Sequence, residues 1–370
     1  MNQGQQAWQT EDVALRPSWA LCIPTLNRVE VLEQSLPYAL RQTVPPAEVI
    51  IVDTSDDWRG NADRIRRLFE REDAPKLIYT TCEKRSGAAQ RNVALGLATA
   101  DILFFFDDDT FLHTDCAACL LDVYAADPQK LIAGVTAPND PVSPAQRITL
   151  QAKATGAQSV GRLSAFRETA LGRWIWREVF MMDTLRLFIP YDVGRPELDD
   201  ATRALLLRLG LSSVFSMFGY AITVRREIAL KEPFDNHLLA YSPCEDTDVS
   251  YRYARHGALA MQPLARLHHF EVGAARLKRL KVAALFLMNV AYLLRKHSQD
   301  LPLHRRRYMH LARRRVLAEC LKDLLSRRWS LPQMFGTIAA IRRSKAIFEH
   351  PGEGLDQWYE NQQKEVLAWP

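Results

Sequence analysis

Apolar positions in the first third of the chain come in short unbroken runs, separated by stretches with helical spacing. Trp19 to Ile23, Val49 to Val52 and Ile102 to Phe106 are apolar at every position. Runs without alternation predict strands covered on both faces. Glu48 opens the second of these strands and Asp101 the last, and Leu77 to Thr80 reads as one more between them. Val29 to Gln42 carries Val29, Leu32, Leu36 and Leu40 on one helical face, with a kink expected at Pro37, and Asn61 to Glu70 and Ala88 to Ala98 also read as helices. This β-α-β-α rhythm predicts an α/β fold with a mainly parallel sheet flanked by helices. In such sheets ligands bind beyond the carboxyl ends of the strands.

Further along, Gly134 to Thr136 is a candidate strand, after which residues 139 to 210 lose the rhythm and mix Trp174, Trp176 and Phe180 with basic residues. Core packing is the simplest role for these aromatics. Ser213 to Val224 reads as a strand containing Gly219. A helix opens at Cys244-Glu245-Asp246-Thr247-Asp248 and stops at Gly257, followed by a short strand at Ala258 to Met261 and by Leu267-His268-His269-Phe270. From about residue 275 to 345 the pattern is helical. Its longest apolar stretch, Val282 to Leu294, falls short of the roughly 20 residues needed to span a bilayer.

Composition narrows this picture only modestly. A chain of 370 residues with 48% hydrophobic content, 16 Gly and 19 Pro is a folded globular protein of one large domain with an appendage, or of two domains. The formal net charge of +5 hides a basic excess in the last quarter, including Arg305 to Arg307, Arg313 to Arg315, Arg327, Arg328, Arg342 and Arg343. Such clustering suits phospholipid headgroups or another polyanion, and solvated helix faces account for it equally well. Six scattered cysteines and a start without a secretory pattern fit reduced thiols in the cytoplasm. Cys116 and Cys119 have no second Cys or His pair at zinc spacing and read as helix residues.

The candidate chemistry lies at strand ends. Pro24-Thr25-Leu26-Asn27-Arg28, Asp53-Thr54-Ser55-Asp56 and Asp107-Asp108-Asp109 each follow a predicted strand. An isolated acid triplet is more often a cap for the next helix, but three polar clusters converging on one sheet edge favour a site. Three adjacent carboxylates behind an apolar strand call for a cation, with a divalent metal carrying phosphates as the expected occupant. Glu245, Asp246 and Asp248 occupy a helical first turn, where the macrodipole favours acids; one of them projecting into the cleft would serve as a general base. His268 and His269 lie far enough beyond Asp246 for the chain to return to the same cleft. A neutral imidazole would complete a mixed oxygen and nitrogen site for Mn²⁺ or Mg²⁺. Adjacent strand residues point to opposite faces, so one of the two at most is a ligand.

Together these segments resemble a family 2 glycosyltransferase of the GT-A, Rossmann-like fold. The matching pieces are Ile23-Pro24-Thr25-Leu26-Asn27-Arg28, Val49 to Asp53, Gly87 to Gly96, Phe106 to Asp109 and Glu245 to Arg252. The resemblance covers about residues 19–137 and 213–272 and implies a catalytic domain over 19–272, with 139–210 inserted as an acceptor region or lid; the polar residues 1–18 read as a flexible N-terminus and the helical pattern of 273–370 as a C-terminal extension. The resemblance also implies that Pro24, Thr25, Arg28, Asp53, Arg91, Asp107 and Asp108 bind a nucleotide-sugar donor, most often a UDP-sugar. Asp109 and Asp107, with His268 or His269, would hold Mn²⁺ or Mg²⁺, and Asp246, with Glu245 as the second candidate, would be the base of an inverting transfer. The acceptor would be a saccharide or lipid-linked hydroxyl, as in polysaccharide biosynthesis. Apart from the resemblance, the cysteines place the protein in the cytoplasm, and Arg276, Lys278, Arg279 and Lys281 before the apolar stretch, with the arginine clusters after it, point to peripheral contact at the inner membrane face. No nucleic acid is expected.

The second-strand turn departs from the family's usual Asp-Asp-Gly-Ser, and the Gln-x-x-Arg-Trp sequence of processive enzymes is absent after the histidines. The competing readings are a nucleotidyltransferase, which would carry a Gly-rich loop after the first strand, and a non-catalytic nucleotide-sugar or polyanion binder, which has no need of the Glu245-Asp246 pair.

Overall fold

The computed structural model describes residues 16–145, 169–180, 182, 197–240, 243–270 and 277–369. The alternation at the start is realised as β1 (Trp19–Thr25), α1 (Val29–Leu40), β2 (Glu48–Asp53), α2 (Trp58–Arg66), β3 (Lys76–Thr80), α3 (Gly87–Leu97) and β4 (Ile102–Phe106). After these come β5 (Thr110–Leu112), α4 (Cys116–Ala125), β6 (Ile132–Thr136), α5 (Ala170–Trp174), α6 (Asp200–Arg208), β7 (Ser212–Ser213), β8 (Ala221–Arg225) and α7 (Arg226–Lys231). The chain continues with α8 (Glu245–Tyr253), β9 (Ala258–Met261), β10 (Leu267–His269), α9 (Arg279–His297), α10 (Leu301–Leu325), α11 (Pro332–Glu349) and α12 (Leu355–Leu367).

Eight strands form one sheet in the order β3-β2-β1-β4-β8-β6-β9-β7. Strands β1 to β4 pair in parallel, β8 runs antiparallel between β4 and β6, and β6 pairs with β9 in parallel. Both faces are covered, which explains the unbroken apolar runs. Leu21, Ile23, Phe104 and Phe106 pack on one side with Leu32, Leu36, Leu120 and Leu121 of α1 and α4. Ala20, Cys22, Leu103 and Phe105 pack on the other with Ala88, Leu95, Ile228 and Val249 of α3, α7 and α8. Truncating Phe105 to alanine would cost about 3–5 kcal/mol of stability, since the ring is fully buried.

Several boundaries differ from the sequence expectation. The strand expected over 213–224 divides into β7 and β8 around a loop that holds Gly219, because β7 pairs with β9 while β8 fills the gap between β4 and β6. Thr110 and Asp109 open the strand β5 rather than a helix, and the helix begins only at Cys116. Pro37 sits inside α1 and Arg41 closes the helix on its carbonyl. Cys116 and Cys119 both lie in α4, and all six cysteines are free thiols. In the segment expected to be frayed, Arg16 forks onto Asp122 and the backbone N–H and hydroxyl of Ser18 donate to Asp101. Most of 139–210 lies outside the described residues, as do residues 1–15.

Helices α9 to α12 build a second core that includes Leu238, Cys244 and Tyr251 from the sheet domain. The apolar stretch of α9 is buried on all sides there, from Ala284 through Leu294 with Phe286 at its margin. Asn289, also buried, donates to the Pro243 carbonyl and accepts from the Tyr359 hydroxyl. Gln363 of α12 accepts from the Leu239 N–H and donates to the His237 carbonyl. The C-terminal helices thereby grip the strand of chain that enters α8. Among the described residues, no helix is long and apolar enough to cross a membrane.

Candidate active site

The parallel register aligns the ends of β1, β2 and β4, with Thr25 beside Asp53 and Cys22 beside Phe105. The three polar clusters therefore meet at one edge. Asp108 is buried, accepts a hydrogen bond from the Thr25 hydroxyl at 2.7 Å and pairs with Arg28 at 3.0 Å. Burial pushes its carboxyl up to about 7, with Arg28 opposing and Asp109 adding to the rise. Arg28 also donates to Asp109, so its guanidinium spans two of the three acids. Asp53 at the end of β2 accepts from the Ser55 N–H and hydroxyl, from the Asn61 amide at 2.9 Å and from the Tyr79 hydroxyl at 2.7 Å. Pro24 precedes Thr25 in β1, paired with Val52.

The small sheet β5-β10 brings in the histidines. It is antiparallel, with His269 opposite Thr110 and His268 opposite Phe111, and the Phe270 N–H donates to the Asp109 carbonyl at 3.0 Å. Alternation along β10 then separates the two rings. His269 Nε2 lies 3.1 Å from Asp109 Oδ1 and 3.9 Å from Asp107 Oδ2. His268 turns the other way, with Nδ1 2.8 Å from the Asp140 carbonyl and its ring against Phe270. Tyr220 stacks on His269 at 4.5 Å and Phe218 on Tyr220 at 5.2 Å, a ladder that fixes the imidazole plane.

Asp107, Asp109 and His269 each offer a ligand atom, all within 4.8 Å of one another. Two carboxylates and one imidazole form the hard, mixed donor set that suits Mn²⁺ or Mg²⁺, so these residues fit a divalent cation. His268 is not part of the cluster.

Arg91 of α3 joins this edge to the start of α8. It is buried, donates to Asp107 Oδ1 at 2.7 Å and to the Gly219 carbonyl at 3.2 Å, and pairs with Glu245. Burial works against its charge, but Glu245, Asp107 and Asp246 together hold its pKa above the ordinary value. Asp246 is half-buried beside the Gly219 loop, where a Cβ added to Gly219 would sit 3.5 Å from Oδ2. Burial raises the Asp246 pKa, with the Thr247 N–H and Arg91 pulling it down. Cys244, just before the helix, has φ of 75°, a left-handed conformation costly for a residue with a Cβ. Asp248 faces away from this edge, between Arg252 at 2.7 Å and His297 of α9 at 2.9 Å.

Sequence reasoning missed the 214–220 loop, with Phe218, Gly219 and Tyr220, because its apolar residues merge with β8 into one strand-like run. It named Arg91 as a donor contact through the Gly87 to Gly96 match but missed its bridge between Asp107 and Glu245, which depends on how α3 and α8 pack.

A mainly parallel sheet with a buried arginine and an acid-and-histidine cluster at its strand ends defines an α/β protein whose sheet edge carries a donor set that fits a divalent cation. Residues 20–184, a little under half of the chain, match the family model for glycosyl transferase family 2. Glu245, Asp246, His268 and His269 lie beyond the matched residues. The chain is 27% identical over 122 residues to the glucosyl-dolichyl phosphate glucuronosyltransferase of Haloferax volcanii, a match spanning 33% of this chain and 38% of that protein. A mannosyltransferase from Pyrobaculum calidifontis in complex with GDP-Man and Mn²⁺ aligns with a TM-score of 0.49 at 15% identity, covering 95% of this chain and 86% of that one. GalNAc-T7 with UDP, GalNAc and Mn²⁺ aligns with a TM-score of 0.49 at 12% identity, over 93% and 58% of the two chains.

Proposed function

We propose that the protein is an inverting, metal-dependent glycosyltransferase of the GT-A type, moving a sugar from a nucleoside diphosphate to a hydroxyl of a saccharide or lipid-linked acceptor. The observation that carries this reading is Arg91, which pairs both with Asp107 of the cation-type cluster and with Glu245 in the first turn of α8, next to Asp246. In this reading Arg28 and Arg91 serve the diphosphate side, where negative charge develops, and Asp246 the acceptor side.

In this mechanism Asp246 accepts the proton of the acceptor hydroxyl, whose oxygen bonds to the anomeric carbon as the bond to the diphosphate breaks, inverting that carbon. The raised pKa of Asp246 makes it a better base than an exposed aspartate. A divalent cation held by Asp107, Asp109 and His269 would supply charge neutralisation to the departing nucleoside diphosphate. Arg91 keeps Glu245 occupied, which leaves Asp246 as the proton acceptor. UDP-sugars are the first donors to test.

The test is a panel of UDP- and GDP-sugars incubated with the full chain and Mn²⁺, read as release of nucleoside diphosphate. Turnover of one donor that stops on chelation supports the reading. Release of pyrophosphate from a nucleoside triphosphate and a sugar 1-phosphate, with no turnover of any nucleotide sugar, would make the protein a nucleotidyltransferase, and donor binding with no turnover across an acceptor panel would make it a binding protein.

A further inference from the structure

The basic C-terminal helices sort their charges in a way that solvation alone does not require. From Leu301 to Glu349, the span of α10 and α11, the sequence holds twelve Lys and Arg and three acids, of which Glu319 and Asp323 lie within the span and Glu349 closes it. Glu319 and Asp323 are turned inward, 3% and 0% exposed. Glu319 meets Arg315 and Lys322, and Asp323 accepts from the N–H groups of Gln333 and Met334. The outer surface of α10 between its ends carries no acid; at the end of α11 the exposed Glu349 pairs with Arg305.

The apolar part is organised. Arg306, His310, Arg313, Leu317, Leu321 and Leu324 recur at helical spacing along one exposed stripe of α10, basic in its first half and leucine in its second. Leu317 is 65% exposed, and Trp329 just past the helix is 75% exposed. Beside them α5 presents Trp174, across a cleft of about 440 Å³ that Trp174, Val179, Phe180 and Leu317 line together with Arg314 and Glu178. Arg314 fastens the two elements by donating to the carbonyls of Glu178 and Val179. Exposed apolar residues scattered singly need no explanation, but a contiguous set rimmed by cations does.

We infer that this face of α10, with Trp329 and Trp174, docks the protein on an anionic lipid bilayer. Charge complementarity and residue type commit the occupant: arginines reach lipid phosphates while leucine and tryptophan enter the boundary between headgroups and acyl chains. A nucleic acid would use the arginines but leave the leucine stripe in water. The surface differs from the apolar stretch of α9, which the second core buries. The inference goes beyond sugar transfer and does not depend on it, since docking needs no donor.

The test floats the full chain with vesicles of phosphatidylcholine alone, or mixed with phosphatidylglycerol. The protein should float only with the anionic vesicles. Leu317→Glu with Leu321→Glu should abolish flotation while the unfolding midpoint stays unchanged, and Arg306→Gln with Arg307→Gln should weaken it about fivefold per arginine. Acyl chains brominated near the headgroup should quench part of the tryptophan emission, a part missing in Trp329→Phe. Flotation that survives the leucine substitutions, no flotation at low salt, or duplex DNA binding without any lipid quenching overturns the inference. Because flotation is read without donor, and transfer to a soluble acceptor without vesicles, failure of either leaves the other standing.

Discussion

Arg91 Nη2 lies 2.7 Å from Asp107 Oδ1, so a helix on one face of the sheet holds the carboxylate at the end of its central strand. The same guanidinium pairs with Glu245. Replacing it with Met strands two acids near one another without their cation. The loss of such a buried pair costs about 3–5 kcal/mol. Urea unfolding of Arg91→Met should show that loss, and Arg91→Lys should recover part of it but not the bridge, since an ammonium lacks the guanidinium fork.

The cation cluster makes a residue-level prediction. Asp109→Asn or His269→Ala should weaken Mn²⁺ binding, followed by the ion's electron paramagnetic resonance signal, at least about tenfold. Tyr220→Leu, which removes only the ring that orients His269, should weaken it by about tenfold or less. His268→Ala should leave it unchanged, because that ring bonds the Asp140 carbonyl. Equal effects from both histidines would contradict the placement.

If Asp246 is the base, Asp246→Asn should lower kcat by about 10²–10⁴ with donor binding intact, measured by turnover and calorimetry. The base must be ionised, so the wild-type rate should rise with pH through its raised pKa. The acid limb should therefore lie above the ordinary aspartate value of about 3.9. An acid limb at or below that value would remove Asp246 from the role.

Asp248 offers a separate pH signature. Burial raises its pKa, but Arg252 and His297 outweigh burial and bring it down to about 2. Its folded pKa is below the unfolded one, so it stabilises the protein above about pH 3.9, and that stability fades as pH falls toward 2. The full effect is on the order of 2–3 kcal/mol. Unfolding free energies across this range should show a steep acid loss that Asp248→Asn flattens.

Asn289 tests whether the C-terminal helices support the site. Asn289→Ala leaves the Pro243 carbonyl and the Tyr359 hydroxyl without this partner, at a cost of about 1–3 kcal/mol. Because Pro243 stands at the entry to α8, kcat should fall with donor affinity little changed, measured by turnover beside calorimetric binding. A variant that loses stability but keeps full turnover would make the contact purely architectural.

The sequence by itself determined the first half of the sheet and the edge where its polar clusters meet. Buried parallel strands impose apolar runs, and the chain must turn in polar residues where each run ends, so both signals are local. The family resemblance added the acids of α8. Only the tertiary structure decided which histidine faces Asp109, because that depends on the register of β10 against β5, and a one-residue slip would exchange the two rings. It alone split the 213–224 run, since pairing partners and not propensity divide β7 from β8. It also buried the α9 stretch and turned Glu319 and Asp323 inward, because burial is set by what packs against a helix, and the neighbours of α9 and α10 come from distant parts of the chain.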